Sequence, residues 1–108
     1  MAKLEKTLSG SFDSWVQKIE DGILYSSMSA ELEGRSDFRA GNARCSVKVF
    51  ERYSYAGGNR VSLNVTLFQE GDGPIFLSGI TSGGSQAVFF KLNTLGEETF
   101  LEELEALL

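Results

Sequence analysis

The strongest constraint on the fold is a pair of alternating segments, residues 45–55 and 60–69, joined by a short turn-forming linker. In the second segment every other residue is apolar, and these residues are Val61, Leu63, Val65 and Leu67. In the first, the same spacing relates Cys45, Val47 and Val49. A period of two is typical of a strand with one buried face. Because the linker Ala-Gly-Gly-Asn tolerates positive φ, the two segments predict a β-hairpin.

Shorter segments on both sides of the hairpin predict further strands. The predicted strands cover residues 2–9, 27–33, 75–81 and 86–92. Residues 34–42 are polar and contain glycine, so they are expected to form a loop. Turns are predicted at 70–74 and 82–85, which are rich in glycine and serine. Residues 75–81 and 86–92 are apolar on both faces, which favours strands that are covered on both sides.

Two amphipathic helices are predicted, one near each end of the chain. Ser11 is a suitable N-cap and Gly22 a suitable C′ residue, so the first helix is expected over about 12–21. Thr94-Leu95-Gly96-Glu97 matches a capping box before the second helix, which carries a stripe of phenylalanine and leucine. Because two leucines end the chain, we expect this helix to dock on the sheet.

These elements predict one α+β domain over residues 1–108. Its expected order is strand, helix, four strands, helix, which counts one strand fewer than the five strand-like segments between the helices. Short turns favour a meander for the last four strands, since sequential strands with tight connections usually pair. The two helices are then available to cover one face of a mostly antiparallel sheet. A chain of 108 residues has room for one core of this kind.

Composition narrows the classes of function. The net charge of −5 disfavours nucleic acid as a partner, because phosphate contacts need positive charge. No segment is apolar enough to span a membrane, and with one cysteine and no leader a cytoplasmic location is expected. Histidine is absent, so the commonest general base and metal ligand are missing. We therefore expect neither an enzyme nor a bound metal or cofactor, and Cys45 is expected to be a buried thiol of the core.

Two groups of residues remain as candidate binding sites. The turn Ser82-Gly83-Gly84-Ser85 could present backbone amides to an anion, although a plain hairpin turn explains the same residues. The second group predicts an apolar patch on the open sheet face, because Phe50 and Phe68 lie on the polar parity of their strands. Phe76 joins them if its strand is in register, and the alternative is that these aromatics are scattered on the surface or sit over a bulge. The members of this second group are Phe50, Phe68, Phe76, Lys48 and Arg52.

Two functions are compatible with this pattern. The first is a non-enzymatic interaction domain that forms a homodimer through the open sheet face, the commonest kind of oligomer. The alternative is a carrier of a small apolar ligand, with a cavity between the sheet and the C-terminal helix. The residues expected to line that cavity are Trp15, Met28, Phe89, Phe100 and Leu104.

Two stretches carry a resemblance at the level of sequence, Arg44-Cys45-Ser46-Val47-Lys48-Val49-Phe50-Glu51-Arg52-Tyr53 and Thr81-Ser82-Gly83-Gly84-Ser85-Gln86-Ala87-Val88-Phe89-Phe90. Together they resemble a family of small uncharacterised proteins of Gram-positive bacteria, known only as a domain of unknown function. The order of elements also resembles the TATA-box-binding-protein-like and helix-grip folds. Neither resemblance implies an activity, a cofactor or a catalytic residue, since fold alone does not determine function.

Overall fold

The computed structural model describes residues 2–53, 60–83 and 90–108. It confirms an α+β fold with five strands and two helices in the described part of the chain. In chain order the elements are β1 Ala2–Leu8, α1 Phe12–Ser26, β2 Glu31–Ala40, β3 Ala43–Tyr53, β4 Arg60–Glu70, β5 Ile75–Gly83 and α2 Phe90–Glu105.

The strands form one antiparallel sheet in the order β1-β5-β4-β3-β2. The last four strands are therefore the predicted meander, and β1 closes the sheet against β5. Both helices lie on one side of the sheet, and the opposite side is called the open face below. On the covered side every second residue of β4 and β5 is buried, and this core includes Val61, Leu63, Val65, Leu67, Ile75 and Leu77.

Helix α1 begins where the sequence predicts and ends later. The Ser11 hydroxyl accepts a hydrogen bond from the Ser14 amide at 3.2 Å, as expected of an N-cap. The helix continues past Gly22 to Ser26, so the predicted end at about residue 21 is wrong. A Cβ at Gly22 would lie 2.5 Å from Leu107 Cδ2, which shows that this glycine makes room for Leu107, two residues after α2, rather than ending α1.

Helix α2 starts earlier than its capping motif predicts. It begins at Phe90, so Thr94 is inside the helix and is not its N-cap. The predicted strand 86–92 is therefore wrong for residues 90–92, and residues 86–89 lie outside the described part. Glu97 is buried, and its Oε1 accepts a hydrogen bond from the Gly83 amide at 2.8 Å. A contact with the sheet thus takes the place of the predicted capping box.

The predicted loop 34–42 is mostly strand. Strand β2 covers Glu31–Ala40, so the half-buried strand predicted over 27–33 is confirmed only from residue 31, and Met28 is fully exposed. The register shifts between Leu32 and Gly34, which marks a β-bulge. A two-residue turn at Gly41-Asn42, with φ of 59° at Gly41, connects β2 to β3. As an edge strand exposed along most of its length, β2 lacks the alternation that marks a half-buried strand.

The predicted hairpin strands are confirmed by β3 and β4. Tyr53 pairs with Arg60, and the predicted turn 56–59 between them lies outside the described residues. Strand β5 is covered on one side only, because Phe76 is 53% exposed on the open face. The prediction that residues 75–81 are covered on both sides is therefore wrong.

Candidate functional site

The open face carries a row of three exposed phenylalanines. Strand pairing places Phe38 opposite Cys45, Cys45 opposite Phe68, and Phe68 opposite Phe76. The exposed fractions of the phenylalanines are 62%, 40% and 53% in the order Phe38, Phe68, Phe76. Directly opposed side chains on one sheet face lie about 4.5–5.5 Å apart at Cβ, so the four residues form a continuous apolar strip.

The two rows of side chains next to this strip carry no charge on β3, β4 and β5. The two neighbouring rows of β3, β4 and β5 consist of Val47, Thr66 and Ser78, followed by Val49, Asn64 and Ile80. All six side chains are half-buried. Charges on the described strands appear only at the margins of this face, with Lys3 and Glu5 on β1 and Glu70 at the end of β4.

A charged cluster closes the other end of the open face. Arg60 Nε lies 2.7 Å from Glu51 Oε1, and Arg60 Nη2 lies 3.2 Å from Glu33 Oε1. The hydrogen bond to Glu51 raises the pKa of Arg60. The Arg60 guanidinium also lies 5.1 Å from the centre of the Tyr53 ring. This end of the face is thus a polar boundary in which Glu51 and Glu33 share one guanidinium.

Two of the five residues predicted for this face, Phe68 and Phe76, are exposed there. The other three, Phe50, Lys48 and Arg52, lie beneath the helices and are at most 3% exposed, so their predicted position is wrong. The physical reason is the register of the hairpin. Lys48 pairs with Val65 and Phe50 with Leu63, and these β4 residues belong to the core.

The predicted position of Cys45 is wrong for the same reason. It was expected in the core with Val47 and Val49, but the register places all three on the open face. The thiol is free and half-buried beside Phe68. Phe38, which sequence reasoning assigned to a loop, completes the strip and was missed because β2 was not recognised as a strand.

The buried cations tie the helices to the sheet. Lys48 Nζ donates to Glu20 Oε1 of α1 at 2.9 Å, and this hydrogen bond lowers the pKa of Glu20. Arg52 Nη1 donates to Glu103 Oε1 of α2 at 2.5 Å, and its guanidinium lies 4.5 Å from the centre of the Phe100 ring. Each cation therefore holds one helix through a carboxylate, a structural role.

The predicted anion-binding turn is described only in part. Ser82 and Gly83 end β5, whereas Gly84 and Ser85 lie outside the described residues. The Gly83 amide already donates to the Glu97 carboxylate at 2.8 Å. A bound anion would have to compete with this carboxylate for the amide, so an anion site here stays a prediction without support.

The four described residues among those predicted to line a ligand cavity do not meet around one. Phe100 and Leu104 are fully buried, and a Cβ at Gly79 would lie 2.5 Å from Leu104 Cδ2. Helix α2 therefore packs directly on β5. Met28 is fully exposed, Trp15 is half-buried, and Phe89 lies outside the described residues.

Among the described residues there is neither a metal-binding cluster nor a membrane-spanning helix. No group of three or more histidine, cysteine, aspartate or glutamate residues there could hold a metal ion. None of the helices in that part of the chain is both long and apolar enough to cross a membrane.

Comparison with known proteins places the chain in a family. A family model described as "Family of unknown function (DUF6054)" matches residues 1–108, so the chain belongs to that family. No curated protein and no solved structure matches it. The resemblance to TATA-box-binding-protein-like and helix-grip folds stays a prediction.

Proposed function

We propose that this member of the DUF6054 family is a non-enzymatic interaction domain whose open sheet face packs on the same face of a second copy. The observation that carries the proposal is the strip of Phe38, Cys45, Phe68 and Phe76 on a face that the described helices leave uncovered. Exposed apolar patches with polar margins are typical of interaction sites.

The distribution of charge supports a protein partner. The two rows beside the strip are uncharged on β3, β4 and β5, and the charged residues Glu51, Arg60 and Glu70 lie toward the ends of the strands. Interfaces between proteins share this arrangement, with a core depleted in charge and a polar rim. A face built in this way can pack on its own copy without burying unpaired charges at the centre.

The size of the face is sufficient for a stable dimer. Five strands spaced ~4.8 Å apart, of which the longest contain 11 residues, give a face of roughly 24 by 36 Å. Standard stable interfaces bury about 800 Å² per partner, which is close to this area. Two sheets that pack face to face lie about 10 Å apart, with their inner side chains interdigitated.

The positions of the ionisable groups support a non-enzymatic role. Lys48 and Arg52, the buried cations of β3, are each paired with a helix carboxylate. The chain has no histidine that could act as a general base. The open face itself offers phenylalanine, valine, isoleucine and small polar side chains, which suit packing rather than proton transfer.

The proposal is tested by sedimentation velocity of the wild-type chain and of the double variant Phe68→Ser, Phe76→Ser. Tyr25→Ser is the matched control, because Tyr25 is 93% exposed on α1, away from the open face. We expect the wild type and the control to self-associate through this face. The double variant should raise the dimer Kd at least about 100-fold, since it removes four partly exposed phenylalanines per dimer at roughly 1 kcal/mol each.

A wild type that stays monomeric at the highest attainable concentration would refute the proposal. So would a double variant that keeps its circular dichroism spectrum and self-associates as strongly and to the same size as the wild type. The alternative of an apolar-ligand carrier is checked on the same samples by native mass spectrometry. Because α2 packs directly on Gly79, we expect no retained ligand.

A further inference from the structure

The outer edge of β2 is a second unpartnered surface. Strand β2 is the last in the sheet order and pairs only with β3 among the described strands. It is 10 residues long, and all residues from Arg35 to Ala40 are exposed. Such an edge presents free backbone donors and acceptors that can pair with another strand.

The turn at Gly41-Asn42 determines which backbone groups face outward. A two-residue turn closes on a hydrogen-bonded pair, here Ala40 and Ala43. Hydrogen-bonded and non-hydrogen-bonded pairs then alternate along the hairpin. The amides and carbonyls of Arg35, Asp37 and Arg39 therefore point away from β3, toward the open edge.

We infer that β2 pairs antiparallel with β2 of a second copy around a two-fold axis at Ser36, which joins the two sheets into one. In this register Arg35 lies opposite the partner's Asp37, and the symmetry creates the same pair twice. Both side chains lie on the helix side of the strand, because they pair with Lys48 and Ser46 of β3. The edge is thus complementary in charge to itself.

Neighbouring registers lose either this complementarity or much of the overlap between the two strands. A two-fold axis at Asp37 would place that carboxylate opposite its own copy and Arg35 opposite the partner's Arg39. An axis at Arg35 would pair that arginine with itself. An axis at Phe38 would pair Asp37 with the partner's Arg39, but it would shorten the overlap, since the strand ends at Ala40. Like charges directly opposite each other destabilise a strand pair, so Ser36 is the favoured centre.

On the open face, the same register places Phe38 opposite the partner's Gly34. A Cβ at Gly34 would meet no atom within 4 Å, so the space over this glycine is open. The Phe38 ring is 62% exposed and would cover that space. An aromatic ring across from a strand glycine is a recognised stabilising pair at sheet edges.

This edge contact goes beyond the proposed function and does not rest on it. Its two-fold axis is perpendicular to the sheet, so the helices of both copies stay on one side and Phe68 and Phe76 stay accessible. The two contacts can therefore be tested separately. All edge variants below are made in the Phe68→Ser, Phe76→Ser background, where face-to-face packing is removed.

The first test reverses the charges. Arg35→Asp or Asp37→Arg alone places like charges opposite each other twice per dimer, and we expect the Kd from sedimentation to rise about tenfold or more. The double variant Arg35→Asp, Asp37→Arg restores opposite charges and should return the Kd to its starting value. A double variant that stays as weak as the single variants would overturn the inference, as would a parent chain that does not self-associate.

The second test determines the register of the two β2 strands by disulfide cross-linking, after Cys45→Ala removes the native thiol. At the axis, Ser36 would face its own copy in a non-hydrogen-bonded pair with Cα atoms about 4.5 Å apart, within the range of a disulfide. We expect Ser36→Cys to give a covalent dimer under mild oxidation, and Asp37→Cys and Phe38→Cys to give little. Cross-linking at 37 or 38 in preference to 36 would overturn the proposed register.

Discussion

Gly79 lies in the middle of β5 directly under α2, and its replacement by alanine tests how closely the helix packs on the sheet. The added Cβ would lie 2.5 Å from Leu104 Cδ2 and 3.4 Å from Leu101 Cδ1. Normal carbon–carbon contacts are about 3.5–4.0 Å, so the Leu104 methyl would have to move by roughly 1 Å. Leu104 is fully buried, and such a movement displaces its neighbours.

The expected cost follows from two opposing effects. Overpacking of a buried site typically costs about 1–3 kcal/mol. Glycine inside a strand is itself less favourable than alanine by roughly 0.5–1 kcal/mol, and the substitution recovers this amount. We therefore expect Gly79→Ala to lower the free energy of unfolding by about 0.5–2 kcal/mol, or several degrees in Tm for a domain of this size.

The assay is urea unfolding at low protein concentration, with Gly34→Ala as the matched strand control. Gly34 has no atom within 4 Å of its would-be Cβ, so its substitution should be neutral or stabilising by up to about 1 kcal/mol. Adding Leu104→Val to Gly79→Ala should show a favourable coupling energy, because both changes act on one contact. A Gly79→Ala variant more stable than Gly34→Ala would refute close packing of α2 on β5.

Three further predictions concern the polar residues beneath the helices. Glu20→Ala leaves Lys48 buried without its carboxylate and should lower the free energy of unfolding by about 3–5 kcal/mol. Lys48→Met leaves the partly exposed Glu20 without its cation and should lower it by less. Urea unfolding of both variants measures the difference. Lys48 lowers the pKa of Glu20 in the folded chain, so as the pH falls the unfolded chain takes up a proton at Glu20 before the folded chain does. Stability should therefore fall as the pH drops below 4.5, and it should fall less steeply in Glu20→Gln. Ser46 Oγ is buried without a hydrogen-bond partner among the described residues, so Ser46→Ala should stabilise by about 1 kcal/mol in thermal unfolding.

Sequence reasoning predicts the elements whose signals are local. The N-cap at Ser11, the alternation of β4 and the apolar stripe of α2 depend on neighbouring residues, and each is confirmed. The errors arise where a distant contact decides. Glycine often ends a helix, but Gly22 lies inside α1 because Leu107, near the other end of the chain, packs against it.

Strand β2 was missed for a related reason. Its Arg35, Ser36 and Asp37 are exposed, so no buried face imposes a period of two on the sequence. What makes these residues a strand is the pairing with β3 across the short turn at Gly41-Asn42. Propensity alone cannot reveal an edge strand of this kind, because the information lies in the partner strand.

The residues of the candidate site depend on which side of the sheet the odd-numbered residues of β3 face. The alternation of apolar and charged residues in β3 predicts the wrong side. Its odd-numbered residues, such as Val47 and Val49, are apolar, and the even-numbered Lys48 and Arg52 are charged. The register reverses the expected sides, because Tyr53 pairs with Arg60 and even positions of β3 therefore lie opposite the odd core positions of β4. The carboxylates that compensate the buried cations of β3 come from the two helices, which are distant in sequence.

That reversal has a consequence for the open face. A strand selected only for stability would bury Val47 and Val49 and expose Lys48, since burying a charge is unfavourable and burying apolar groups is favourable. In β3 the arrangement is the opposite, and Glu20 and Glu103 compensate the buried cations. The apolar residues thereby join Phe68 on the uncovered side. A surface maintained at this energetic cost is easier to explain if a partner covers it, and the Phe68→Ser, Phe76→Ser variant tests that reasoning directly.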